Sequence, residues 1–165
     1  MFESCYTPDD VAHVLRNRHG LPVELEAYRP TIVSGSRIGA ISLPMELGYR
    51  VLNLLPDRPV PVVGNPPDTI WTFLVGSVFP PLLARTVRRW AARGVTVHAR
   101  GHRVLMPMSD SGLGWRWACA PEAGPLRLPS RGQVLDAAEL LLAMGPVQTC
   151  REVAGATPDR SRSTT

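Results

Sequence analysis

A chain of 165 residues with 44% hydrophobic and 19% charged residues has the size and composition of one globular domain, and folding at that size buries roughly two-thirds of the surface the unfolded chain exposes. This excludes an intrinsically disordered protein and leaves no need for disulfide or metal staples. The net charge of +4 favours anionic partners. All 18 basic residues are arginine, which fits a codon-biased, Arg-rich composition as well as selection for bidentate phosphate contacts.

The first helix is announced by Thr7-Pro8-Asp9-Asp10: Thr7 can cap, Pro8 suits the first helical position, and both carboxylates favour the positive end of the helix dipole. The pattern predicts a helix over 8–19, stopped by Gly20. The stretch 28–36 breaks into Pro, Thr, Ser and Gly and predicts no element, and 37–43 then reads as a short strand with weak alternation. Pro44 opens a second helix, 44–55, with Leu47, Val51, Leu52, Leu54 and Leu55 at helical spacing. Residues 60–63 and 70–75, separated by a Pro-rich turn, predict a hairpin. A third helix starts at Pro80 and closes at Gly94, and two strands, 95–98 and 103–108, are joined by the turn at 99–102. One more strand, 115–118, follows a Gly-rich turn. Ser130 with Gln133 three residues on has capping-box spacing and introduces a last helix ending at Gly145.

The order predicts an α+β fold, a mixed or antiparallel sheet of about five to six strands with helices packed mainly on one face. Residues 1–150 read as a single domain and 151–165 as a disordered tail rich in Arg, Ser and Thr. Cys5, Cys119 and Cys150 are far apart and lack C-x-x-C spacing, which argues against a zinc site and against a disulfide framework. The first ten residues do not look like a signal peptide, and no apolar stretch nears the ~20 residues needed to cross a bilayer. A cytoplasmic protein without membrane contact is the expectation.

Three constellations invite chemistry. Arg85, Arg89 and Arg93 fall at i, i+4 and i+8 of the third helix with Arg88 beside them, opposite a stripe of Leu83, Val87 and Trp90. The arginines read either as a track along a phosphate backbone or as an ordinary solvated face. Trp115 and Trp117 flank Arg116 on a strand, so both indoles point one way: a stacking platform for bases if exposed, core if not. His98 and His102 are four apart, but they flank a turn rather than share a helix, so zinc-ligand geometry is not implied. There is no G-x-S-x-G, and the absence of Lys forbids a P-loop.

The stretch 95–117, VTVHARGHRVLMPMSDSGLGWRW, resembles the closing strands of the bifunctional DNA primase/polymerase domain of the archaeo-eukaryotic primase type, and in particular its short, divergent actinobacterial forms. Ala99-Arg100-Gly101, Pro107 with Ser109, Gly112 or Gly114, and 115–117 fall in the family's order; 71–75 looks like its central strand, 38–43 like its first acidic strand, and Leu43 to Gly48 keeps Leu-Pro-x-x-Leu-Gly. The resemblance covers roughly residues 35–145 and implies an RRM-like core whose carboxylates hold two metal ions. It aligns the first acidic pair with Gly39-Ala40-Ile41-Ser42, the nucleotide-contacting His with Trp71, and the third carboxylate with His98. None of these residues is an acid, and other acids such as Asp57, Asp68 and Asp110 sit in predicted turns.

The resemblance therefore implies a catalytically inactive primase/polymerase-like domain without cofactor, acting as a nucleic-acid-binding or regulatory module. Its DNA or RNA contacts would come from Arg85, Arg88, Arg89 and Arg93, with Arg100, Arg103 and Arg116 in support and Trp115 and Trp117 as stacking residues. The alternative is a protein-interaction adaptor, or a homodimer, with an exposed apolar patch around Trp71, Trp115 or Trp117.

Overall fold

The computed structural model describes residues 1–3, 5–56, 59–109 and 114–145; Asp57, Asp110, Cys150 and the tail 151–165 lie outside them. Helix α1 (Pro8–His19) begins as its sequence dictates. The Thr7 hydroxyl accepts from the Asp10 amide at 3.2 Å, the Asp10 carboxylate accepts from the Thr7 amide at 2.9 Å, and Gly20 ends the helix at φ 66°. Strands β1 (Val23–Glu26) and β2 (Arg29–Val33) follow, then β3 (Gly39–Pro44), α2 (Met45–Leu54), β4 (Val62–Gly64), β5 (Ile70–Val75), α3 (Ala84–Ala91), β6 (Thr96–Val97), β7 (Arg103–Leu105), β8 (Arg116–Cys119) and α4 (Arg131–Ala143). Ser130 caps α4 and Gln133 closes its capping box.

The fold is α+β. Its strands form two antiparallel sheets, one of five strands ordered β6-β3-β5-β4-β8 and one of three ordered β1-β2-β7. The predicted hairpin is present as β4–β5. The predicted pairing of 95–98 with 103–108 is not: β6 pairs with β3, while β7 crosses to β2 in the other sheet. The hairpin β1–β2 occupies a stretch that the sequence left without structure. Helix α3 begins four residues beyond Pro80, after a second proline and two leucines.

Alternation along the central strands sends side chains into two separate cores. Ile41, Leu43, Trp71, Phe73, Val75 and Val62 face α2, α3 and α4, packing on Leu47, Val51, Trp90, Val134, Leu135, Ala138 and Leu141. From the opposite face Ala40, Val63 and Leu74 meet Val11, Ala12 and Leu15 of α1 and Val23, Ile32 and Val104 of the small sheet. Three helices therefore cover one face, and α1 with the small sheet covers the other.

Gly39 shows how tightly β3 is held. A Cβ built there would lie 2.6 Å from Val78 Cγ1 and 3.0 Å from the Gly76 carbonyl oxygen. Gly39→Ala should therefore destabilise the domain by about 1–3 kcal/mol through overpacking, read as a lower denaturant midpoint at unchanged m; an unshifted midpoint would contradict this packing.

Candidate functional site

Ser42 and Thr72 lie opposite each other on β3 and β5, and their side-chain oxygens are 2.8 Å apart. Ser42 Oγ also lies 2.7 Å from His98 Nε2, just beyond the end of β6, where the His98 amide donates to the Ala40 carbonyl. The His98 ring stacks on His102, with centroids 3.6 Å apart and planes 9° from parallel. The chain of contacts then runs into loop backbone: Ser34 N–H donates to the His102 carbonyl and Gly101 N–H to the Ser34 carbonyl, each at 2.8 Å, and Val78 N–H donates to the Gly35 carbonyl. Three loops, around 34–38, 76–80 and 99–102, thus meet at one end of the central sheet. Arg100 places its guanidinium carbon 5.9 Å from the Phe79 ring centroid.

The row is electrically neutral. Burial pushes the His98 imidazole down to about 4, with repulsion from a charged His102 adding to it, and burial also lowers His102. So weak a base is ill-suited to activating the Ser42 hydroxyl near neutral pH. Nor do the two imidazoles make a metal site as placed: parallel stacked rings send their lone pairs along parallel planes rather than to one point ~2.1 Å from both. Among the described residues no group of three or more His, Cys, Asp or Glu side chains converges on a possible metal position.

The resemblance would place metal ligands at 39–42 and at His98. Ser42 and His98 do come together, but hydroxyls and a neutral imidazole do not fit Mg²⁺, a hard cation that seeks anionic oxygen. Position 39 has no room for any side chain. Trp71 is 6% exposed and faces the helical core, away from Ser42; its neighbour Thr72 holds the place beside Ser42, because one residue along a strand changes the face. Asp68 is committed elsewhere. Burial raises its pKa, but hydrogen bonds from Arg116 and Trp71 outweigh this and hold the carboxylate below its usual range. Asp57 and Asp110 lie outside the described residues.

The expected nucleic-acid contacts separate into two groups. Arg85, Arg88 and Arg100 are exposed and have no carboxylate partner among the described residues. The other four are engaged: Arg89 and Arg93 reach Glu139 of α4 at 2.9 and 3.6 Å, Arg103 pairs with Glu26 at 2.5 Å, and Arg116 pairs with Asp68. The apolar stripe of α3 is narrower than its spacing suggests, since Trp90 is buried while Leu83 is 61% exposed. Trp115 and Trp117 share a face, as period two requires, and pack half-buried against the second core rather than standing open.

Local sequence reasoning missed Ser42, Thr72 and Phe79. Ser42 and Thr72 are 30 residues apart, and only the β3–β5 register joins them; the HARGH spacing was the one local sign of the imidazole pair. Comparisons with known proteins return no match: no family model, no curated protein and no solved structure is similar to this chain.

Because the fold favours the neutral imidazole, the native state binds fewer protons at His98 than the unfolded chain. Its contribution to stability is full above about pH 6.5 and is lost as pH falls toward 4. An NMR titration should place the His98 midpoint near 4, and His98→Gln should flatten the fall in melting temperature between pH 6.5 and 4. A midpoint near 6.5 would show that the stack and its burial do not hold in solution.

Proposed function

We propose that this domain is a nucleic-acid-binding module, a primase/polymerase-like fold that lacks the transfer reaction and acts by binding or regulation. The observation that carries the reading is the outer face of α3, where Arg85 and Arg88 are exposed without acidic partners among the described residues, while Arg89 on the helix and Arg93, two residues past its end, are paired with Glu139. The helix itself contains no acidic residue, so its positive surface is available to phosphate oxygens. Support for the missing reaction comes from the neutral Ser42–Thr72–His98 row and from the closed position at Gly39.

The α3 surface is testable by salt. Each phosphate neutralised contributes about 0.9 to the slope of log K against log salt for duplex DNA, so replacing both Arg85 and Arg88 with Ala should reduce that slope by about 2. Glu139→Gln releases Arg89 and Arg93 from their carboxylate and should tighten binding roughly two- to fivefold. Fluorescence anisotropy with labelled oligonucleotides reads both effects. No binding at low salt would overturn the reading.

A protein-interaction adaptor is the second reading, favoured by one observation: Tyr49, Leu54, Leu140 and Met144 are exposed on or just beyond α2 and α4, helices that contact each other. The aromatic patch first expected for it is not there, since Trp71 is buried and Trp115 and Trp117 are half-buried. Light scattering that finds a stable dimer, unchanged by salt, would favour this reading.

A further inference from the structure

The loop cluster beside the imidazole stack has features that a phosphate-binding helix does not need. Phe79 is 48% exposed on a loop between β5 and α3, and its ring is faced by the Arg100 guanidinium. One face of His102 is covered by His98, and the residue is otherwise exposed. Ser34, whose backbone ties the 99–102 turn in place, is 2% exposed, and its side-chain oxygen has no hydrogen-bond partner among the described residues. The loops are held to one another by backbone hydrogen bonds, so these groups are presented on a fixed support rather than on independent tips.

Flat rings and a guanidinium plane that remain exposed, on a domain that also presents the α3 arginines, suit a ligand carrying both π-faces and phosphates. A duplex offers the phosphates, but its base faces are already stacked on one another; only an unpaired base can use the rings. We propose that the Phe79, Arg100 and His102 cluster stacks an unpaired nucleobase, so that the nucleic acid this domain prefers is single-stranded, with the strand continuing onto the α3 arginines. This rests on the nucleic-acid reading above and adds the strandedness of the ligand.

The test compares a single-stranded oligonucleotide with its duplex of equal length, by fluorescence anisotropy at low salt, on the wild-type chain, on Phe79→Leu and on the Arg85→Ala/Arg88→Ala variant. Loss of one stacked base corresponds to a roughly 5- to 100-fold change in affinity. Phe79→Leu should therefore weaken single-strand binding by that factor and leave duplex binding within about twofold, whereas the arginine variant should weaken both. Phe79 is half-exposed, and an unchanged melting temperature for its variant confirms that folding is intact. Equal losses on both ligands, or none on either, would overturn the stacking inference while leaving the nucleic-acid reading in place. Failure of the wild-type chain to bind either ligand would overturn both.

Discussion

The structure depends on the pairing of β3 with β5, a pair of six-residue strands buried on both faces. Most sheets that contact one core can leave the other face to water, and their strands then alternate apolar with polar. Here α2, α3 and α4 take one face, while α1 and the three-stranded sheet take the other. The consequence is that β3 and β5 have almost no place for a charge. The one polar row they carry, Ser42 with Thr72, is satisfied internally and extended by His98. The buried Thr72 hydroxyl left without such a partner would cost about 1–3 kcal/mol.

That constraint divides the molecule into a neutral centre and a charged periphery. The hydroxyl and imidazole row can offer and accept hydrogen bonds, but it contributes no negative charge. The arginines stand on α3, on the loops and at the first residues of β7 and β8, where water and counterions share the cost of their charge. Ion pairs to Glu139, Glu26 and Asp68 then reduce how many remain available. Among the described residues the expected contacts that keep no carboxylate partner are Arg85, Arg88 and Arg100, fewer than the sequence pattern offers, and of these Arg100 faces the exposed Phe79 ring.

What the sequence reveals follows the range of the interactions involved. The capping residues of α1 and α4 act within three positions, so Thr7 with Asp10 and Ser130 with Gln133 are legible, and so is the local hairpin β4–β5. The weak alternation of 37–43 is itself informative, because a strand buried on both faces loses the polar half of the pattern. Strands β1 and β2 escape because β2 contains Pro30, and because the turn before it uses Ala27 and Tyr28 at φ 46° and 61°, residues that carry no turn signal of the Asn-Gly kind. Strands β6 and β7, neighbours in sequence, part company between sheets, and nothing in their short runs records that. The site is less legible still: Ser42 meets His98 across 56 residues, and Phe79 meets Arg100 only through packing of the loops.

In the proposed function nucleic acid is held by arginines and aromatic rings around a centre with no carboxylate charge. The most direct test of that reading is oligonucleotide affinity at fixed ionic strength, with Mg²⁺ or Mn²⁺ exchanged for an equivalent monovalent salt in the presence of chelator. No gain in affinity from the divalent ion is predicted, because no described group at the sheet centre offers it an anionic oxygen, and its competition for the phosphates can only weaken binding. Affinity that rises severalfold only when the divalent ion is present would contradict the account.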